Sequence, residues 1–120
     1  MTPFGALLRY YREERGLSQF EMARQLSVDS KYISSIETGR RRPPSSELMS
    51  ALYATLRLTE DQQSQLKMAA QNSSYVIRIP RSISPIGLQL VHRLVRCLEG
   101  LRPDQISAIQ AFIEEGQSDS

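Results

Sequence analysis

The apolar positions in residues 4–70 recur at the spacing of short amphipathic helices, and polar capping residues separate one stripe from the next. The first stripe has the i, i+3, i+4, i+7 pattern and consists of Phe4, Leu7, Leu8 and Tyr11. Gly16 is placed to end this helix, because glycine often follows the last helical residue. Ser18 and Glu21 form an S-x-x-E capping box, which predicts a second helix from about Gln19. The side chains expected to face inward from it are Phe20, Ala23 and Leu26.

Three further helices complete the predicted domain. Asp29 is a typical N-cap for a third helix that runs to Glu37, and Gly39 is placed to end it. A fourth helix carries the apolar stripe Leu48, Leu52 and Leu56. Thr59 and Gln62 form another capping box, which opens a fifth helix. Residues 1–71 are therefore expected to form an all-α, five-helix domain.

The rest of the chain is predicted to hold a linker and two more helices. Residues 72–84 break the helical periodicity, and their β-branched segment 75–79, YVIRI, is either a short strand paired with a second copy or an extended segment. Ser84 followed by Pro85 is typical of a helix start. Residues 85–115 then form two helices in this interpretation, and residues 116–120 form a disordered tail.

The two C-terminal helices carry apolar faces that are too broad to cover one another. These faces either fold back on the five-helix domain or meet a second copy of the chain. The predicted dimerisation residues are Ile86, Leu90, Val91, Leu94, Leu98, Ile106, Ile109, Phe112 and Ile113. Cys97 lies on the same stripe and is expected to be buried. His92 is expected to be an ordinary exposed or hydrogen-bonded histidine rather than a metal ligand.

Charge and composition exclude several classes of protein. The formal charge is +2, and residues 1–58 hold nine Lys or Arg against six Asp or Glu, with the densest run at Arg40, Arg41 and Arg42. The single cysteine excludes an internal disulfide. No apolar run approaches the roughly 18 residues of a membrane span, and the N-terminus turns charged too early for a signal peptide, so a cytoplasmic location is expected. No metal, cofactor or catalytic motif is recognisable, so no enzyme activity is predicted.

The third predicted helix has two contrasting sides. At about 100° per residue, Ile33 and Ile36 point one way. The opposite side holds Ser30, Lys31, Ser34 and Ser35, with Tyr32 on its flank. Serines weaken a helix because they compete for backbone hydrogen bonds. The serines alone leave two interpretations open, namely a poorly optimised surface helix and a face that enters the major groove of DNA.

Residues 18–39, SQFEMARQLSVDSKYISSIETG, have the layout of a helix-turn-helix unit. They resemble the Xre/Cro family of prokaryotic regulators in LSQ at 17–19, Ala23, YISSIE at 32–37 and Gly39. The chain departs from the family at Ser27, where many such turns have glycine. The resemblance implies a lambda-repressor-like DNA-binding domain, with double-stranded operator DNA as its partner.

The resemblance implies a role for each matching position. The base-reading candidates are Ser30, Lys31, Tyr32, Ser34 and Ser35. The phosphate-binding candidates are Gln19, at the start of the second helix, and Arg40, Arg41 and Arg42. Arg12 and Glu37 both edge the predicted core, and the resemblance implies that they form an internal ion pair.

The sequence as a whole predicts a sequence-specific transcriptional regulator. We expect a homodimeric repressor on an inverted-repeat operator, because an Xre-type domain followed by a helical hairpin is a familiar layout and half-sites lie about 34 Å apart. The alternative is an antitoxin-type protein, whose C-terminal helices bind a small toxin partner. A third interpretation, a scaffold that does not bind DNA, fits the basic excess of the first half poorly.

Overall fold

The computed structural model describes residues 1–118 of the chain, and it is all-α over that range. The helices are α1 (Pro3–Glu14), α2 (Gln19–Leu26), α3 (Ser30–Thr38), α4 (Ser46–Thr55), α5 (Glu60–Gln71), α6 (Pro85–Cys97) and α7 (Pro103–Ser118), with a 3-10 turn at Leu98–Gly100. The predicted all-α fold is confirmed. No strand is present within residues 1–118, and the segment 75–79 has no regular secondary structure there.

Local capping explains where these helices begin. The Ser18 hydroxyl accepts from the Glu21 N–H at 3.0 Å, and the Glu21 carboxylate accepts from the Ser18 N–H at 3.3 Å. Asp29 caps α3 by accepting from the Lys31 N–H at 2.8 Å. Each cap satisfies a backbone donor that the first turn of a helix leaves without a partner. The helix starts predicted from these residues are therefore observed.

One compact unit spans Met1–Ile77 and contains the core. Helix α1 packs against α3 and α5, and α2 packs against α3 and α4. The buried apolar side chains are Phe4, Leu8, Tyr11, Met22, Ala23, Ile33, Ile36, Met49, Leu52, Leu56, Leu58 and Leu66. Burial of each large side chain contributes roughly 1.5–3 kcal/mol, so the core fixes α3 against its two neighbours, α1 and α2.

The inward face of α2 differs from the predicted one at Phe20. Its side chain is 66% exposed, whereas Met22 is fully buried. The prediction for Phe20 is therefore wrong. Two residues correspond to about 200° around a helix, so Phe20 and Met22 point to opposite sides. The short helix α2 turns its Met22 and Ala23 side to the core.

Helices α1 and α3 approach most closely at Gly5. A Cβ atom built at this position would overlap the carbonyl oxygen of Glu37 and lie 2.7 Å from its carbonyl carbon. Glycine is therefore required by space rather than by backbone conformation. The absence of a side chain at Gly5 lets the backbone of α1 lie directly against the last turn of α3.

The turn between α2 and α3 uses serine in a conformation that favours glycine. Ser27 is the C-cap of α2 and has φ 58° and ψ 42°, in the left-handed region. The next residue closes the turn, since the Val28 N–H donates to the Ala23 carbonyl at 2.9 Å. The turn thus keeps its hydrogen bonds without glycine, and Ser27 carries a backbone cost of roughly 1 kcal/mol.

Replacing Ser27 with glycine is expected to raise the free energy of unfolding by about 0.5 kcal/mol, because relief of the left-handed strain outweighs the added flexibility of the unfolded chain. Urea denaturation measures the change. The matched control is Ser50→Gly in α4, an exposed helical position, where the same substitution is expected to be destabilising by about 0.5 kcal/mol. A loss of stability in Ser27→Gly would contradict the strain argument.

The second compact unit begins at Arg78 and includes α6 and α7. Every residue of these helices whose side chain is described is exposed or half-buried. Cys97 is exposed, so its predicted burial is wrong for the single chain. The reason is that its stripe on α6 is not covered. Helix α7 continues to Ser118, into the predicted disordered tail, and Asp119 and Ser120 lie outside the described residues.

The apolar residues of α6 and α7 form stripes along the helices and are interrupted in sequence by polar residues. No helix within residues 1–118 combines the length and the hydropathy that a membrane span requires.

Candidate nucleic-acid interface

Helix α3 is anchored on one side and open on the other. Ile33, Ile36 and Glu37 are 0%, 1% and 0% exposed. On the other side Lys31 is exposed, and the remaining base-reading candidates, Ser30, Tyr32, Ser34 and Ser35, are half-buried. Ser30, Lys31, Ser34 and Ser35 therefore remain accessible on the side of α3 that the two isoleucines do not occupy, and Tyr32 lies at its edge, packed in part against the core.

The buried Glu37 carboxylate is bound by the Arg12 guanidinium from α1. Arg12 Nε donates to Oε2 at 2.7 Å, and Arg12 Nη2 donates to Oε1 at 3.1 Å, which makes the pair bidentate. Arg12 Nη1 also donates to the Leu17 carbonyl at 2.8 Å. Three donor groups of one guanidinium thus connect α1, the α1–α2 turn and α3. Charge-assisted bidentate pairs of this kind fix the relative orientation of the two side chains and also contribute interaction energy.

The ion pair further favours the charged form of Arg12. The hydrogen bond with Glu37 raises the pKa of Arg12 above its ordinary value, against the opposing effect of burial. The guanidinium therefore stays charged at every physiological pH. A second arginine of α1 lies nearby, since Arg9 Nε is 3.4 Å from Glu37 Oε1 and its side chain is 40% exposed.

Gln19 also contacts Glu37, an interaction that its expected phosphate role did not include. Its Nε2 donates to Glu37 Oε1 at 3.0 Å, and the residue is half-buried at the first position of α2. Within residues 1–118 the backbone N–H groups of Gln19 and Phe20 have no acceptor, as expected for the first turn of a helix. The amino end of α2 thus keeps free donors beside a side chain tied to α3.

The three arginines after α3 lie in a turn that folds back on the helix. The backbone N–H groups of Arg40 and Arg41 donate to the Ser35 carbonyl at 2.9 and 3.2 Å. We call residues 40–42 the arginine loop. Gly39 permits this reversal because it has φ 84°, in the left-handed region. All three arginines are exposed.

Arg41 reaches the base-reading side of α3. Its guanidinium carbon lies 5.7 Å from the centroid of the Tyr32 ring, in a cation–π arrangement. Tyr32 and Arg41 line a shallow depression of about 290 Å³ together with Asp29, Lys31 and Ser35. The structure therefore brings one predicted phosphate-binding residue next to three predicted base-reading residues. The contact between positions 32 and 41 depends on the turn at Gly39, and no sequence spacing indicates it.

Comparison with known families decides the class of this domain. Residues 3–66 match the family model described as a helix-turn-helix domain. The chain belongs to this helix-turn-helix family. The predicted Xre/Cro-type family is confirmed, and the chain is accordingly a DNA-binding transcriptional regulator. Regulators of this class are generally not enzymes.

One solved structure matches this chain at low similarity. A chain in the structure of the SinR protein/SinI protein complex is 22% identical to this chain, covers 96% of it over 98% of its own length, and gives a TM-score of 0.47. An identity and a TM-score this low do not indicate a shared function. No curated protein matches the chain.

Proposed function

We propose that this chain is a dimeric transcriptional repressor that reads an inverted-repeat operator with α3. The observation that carries the proposal is the two-sided arrangement of this helix. Its inner side is fixed by two buried isoleucines and a buried, bidentate carboxylate, while Lys31 is exposed on the outer side. A rigid helix with short polar side chains can approach base edges closely in the major groove.

The proposed contacts divide into base reading and positioning. Ser30, Lys31, Tyr32, Ser34 and Ser35 supply hydroxyl and ammonium groups that match acceptors and donors on base edges. Gln19 and the free N–H groups at the start of α2 bind one phosphate. The arginine loop binds the adjacent backbone. The cation–π contact between Arg41 and Tyr32 supports the proposed phosphate role of the arginine loop, because it holds the loop beside the base-reading candidates.

Substitutions on α3 test the proposed reading surface. An operator is first selected from random duplexes by binding to the wild-type chain. Lys31→Ala and Ser34→Ala are each expected to weaken binding to this operator by about 1–3 kcal/mol, and to weaken binding to random DNA much less. Arg42→Ala is the contrasting control, because loss of a phosphate contact weakens binding to both DNAs about equally. Titrations at matched salt measure both affinities. Equal losses on the two DNAs for Lys31→Ala would contradict base reading.

The proposed dimer uses the apolar faces of α6 and α7. The exposed fractions of Ile86, Leu90 and Phe112 are 76%, 65% and 78%. The remaining members of the proposed interface are Val91, Leu94, Leu98, Ile106, Ile109 and Ile113. A soluble chain rarely leaves so extended an apolar surface in water, so this surface favours a partner. A second copy would bring two α3 helices to half-sites about 34 Å apart, and the bound dimer would exclude polymerase from an overlapping promoter.

Sedimentation of the full chain at micromolar concentration tests the dimer, and the expected mass is that of two chains. Phe112→Asp is expected to shift the equilibrium towards the monomer, because a carboxylate replaces an apolar side chain in the proposed interface. Ala111→Asp adds the same charge on the side of α7 opposite Ile106, Ile109 and Ile113, and should leave the dimer intact. A wild-type chain that sediments as a monomer with and without DNA would contradict this part of the proposal.

The same exposed faces also fit the alternative function, an antitoxin-type protein that binds a small toxin. Under that alternative the hairpin would bind a different chain in preference to its own copy. Co-expression with a toxin-like protein encoded next to it, followed by sedimentation, distinguishes the two functions. A stable complex of two different chains that forms at the expense of the homodimer would favour the alternative.

A further inference from the structure

We propose that residues 74–81, here called the linker arm, form a second DNA-contacting element that binds phosphates next to those held by the arginine loop. This proposal rests on the proposed DNA binding of α3. It adds Arg78 and Arg81 to the DNA interface. It also adds Tyr75, an exposed residue that precedes both arginines in the sequence.

The start of the linker arm is fixed to the DNA-binding unit. Ser73 is only 7% exposed, and its hydroxyl accepts from the Phe4 N–H at 2.9 Å while it donates to the Ala69 carbonyl at 2.7 Å. These two hydrogen bonds join the end of α5 to the start of α1. The chain therefore leaves the domain at one defined place, and the residues that follow Ser73 start from a rigid point.

That place lies beside the arginine loop. Ser74, Tyr75 and Val76 line a depression of about 300 Å³. The other residues that line it include Arg40, Arg41 and Arg42. The first residues of the linker arm and all three loop arginines thus share one surface. A duplex backbone that reaches the arginine loop also comes close to this segment.

Chain geometry keeps the linker arginines near this surface. Arg78 is two residues beyond Val76, so their Cα atoms are at most about 7 Å apart in any conformation. Arg81 is five residues beyond Val76, which limits the separation to about 18 Å. These limits follow from covalent connectivity alone. The Cα atom of Arg78 therefore stays close to Val76 in every conformation, and that of Arg81 stays within about 18 Å of it.

The charge pattern favours a polyanion as the occupant. Residues 62–98 contain no Asp or Glu, and their basic residues are Lys67, Arg78, Arg81, Arg93 and Arg96. Within residues 1–118, Arg40, Arg42, Arg78 and Arg81 make no ion pair or side-chain hydrogen bond. In contrast, Arg9 and Arg12 are both paired with Glu37. Within the described residues these four arginines therefore have no internal anion to neutralise them.

The exposed apolar residues of the linker arm also fit DNA better than a second copy. Tyr75, Val76 and Ile77 are 82%, 86% and 81% exposed. Pairing of this segment with its own copy would bring two equally basic strands together, and like charges across a strand pair are destabilising. Phosphates remove that repulsion. The minor groove of a duplex also accepts apolar side chains such as isoleucine, which proteins insert between base steps.

The salt dependence of DNA binding tests the linker arm. The full chain and the double variant Arg78→Ala, Arg81→Ala are titrated with duplex DNA of random sequence at several salt concentrations. Each phosphate contact contributes about 0.9 to the slope of log K against log salt concentration. The magnitude of this slope is therefore expected to be smaller by nearly 2 in the double variant than in the wild type. The variant Arg78→Lys, Arg81→Lys keeps both charges and should restore most of it.

The matched control is Arg93→Ala, Arg96→Ala, which removes the same charge from α6. This control is expected to keep the wild-type slope, and an equal decrease would overturn the proposal by indicating a general charge effect. An unchanged slope in the linker double variant would also overturn it. Thermal unfolding of each variant checks that the fold is retained, and hydroxyl-radical footprints should lose protection at backbone positions next to the α3 site only in the linker variant.

The outcomes separate this proposal from the proposed function. If the wild-type chain binds DNA with no salt dependence, or does not bind at all, the proposed function fails. If the wild-type chain binds with the expected salt dependence and the linker double variant keeps the wild-type slope, the linker arm proposal alone fails. A linker double variant that keeps its DNA slope but dissociates into monomers would assign the segment to contact between copies instead.

Discussion

Arg12→Ala is expected to lower the free energy of unfolding by about 3 kcal/mol, because it leaves the buried Glu37 carboxylate without its bidentate partner. This loss is at the lower end of the range that is usual when one partner of a buried ion pair is removed. The reason is that Arg9 and Gln19 still donate to Glu37 Oε1 at 3.4 and 3.0 Å. For a domain of this size, 1 kcal/mol corresponds to a shift of several degrees in melting temperature. Calorimetry or thermal circular dichroism therefore resolves the effect easily.

The control for this prediction is a salt bridge at the surface. Arg102 and Asp104 form an ion pair at 3.1 Å, but their side chains are 68% and 71% exposed. Exposed pairs contribute roughly 0–1 kcal/mol, so Arg102→Ala is expected to change stability little. If Arg12→Ala were as mild as Arg102→Ala, the Glu37 carboxylate would not depend on Arg12, and the argument from burial would be wrong.

Gly5→Ala is expected to be destabilising by about 3 kcal/mol, because the new methyl group would overlap the Glu37 carbonyl. The obstacle is backbone of α3 rather than the end of a flexible side chain, so α1 and α3 must separate to accommodate it. Such a separation also stretches the hydrogen bonds between Arg12 and Glu37. Chemical denaturation measures the loss of stability, and one-dimensional NMR shows whether the variant retains a folded core.

Gly116→Ala is the matched control for Gly5→Ala, because it makes the same change in α7 with no atom within 4 Å of the added Cβ. Alanine favours a helix over glycine by roughly 0.5–1 kcal/mol, so this control should not destabilise the protein. A Gly5→Ala protein as stable as the wild type would contradict the close approach of α1 to α3.

Most local features of the fold could be predicted from the sequence. The capping residues Ser18, Asp29 and Thr59 define helix starts within one or two residues, because a cap depends only on its near neighbours. The positions of Ile33 and Ile36 likewise define the inner side of α3. These predictions hold because the relevant contacts lie within one helical turn.

Contacts between distant residues could not be predicted in the same way. The hydrogen bond from Gln19 to Glu37 depends on the left-handed turn at Ser27, which sequence analysis indicated only as a departure from the family pattern. The exposure of Phe20 depends on which side α2 turns to α4. The bond between Ser73 and Phe4 joins opposite ends of the domain, and no periodicity relates the two positions.

The C-terminal helices show a different limit of sequence analysis. Their apolar stripes predict burial, and Cys97 lies on one of them. In the single chain Cys97 and Leu98 are exposed. An amphipathic stripe indicates a surface that needs to be buried, but it does not indicate whether the same chain or another chain buries it. The sequence can therefore predict the faces of α6 and α7, and only an experiment on association can identify what covers them.

The anchoring of the first residues has a practical consequence for the design of fusion proteins. Thr2 is 6% exposed, caps α1 and lines the same depression as the arginine loop. Any affinity tag or fluorophore attached ahead of Met1 would therefore emerge next to Arg40 and Arg42, where it could screen their charge or obstruct a duplex. Binding constants measured with amino-terminal tags should be compared with those of the untagged chain.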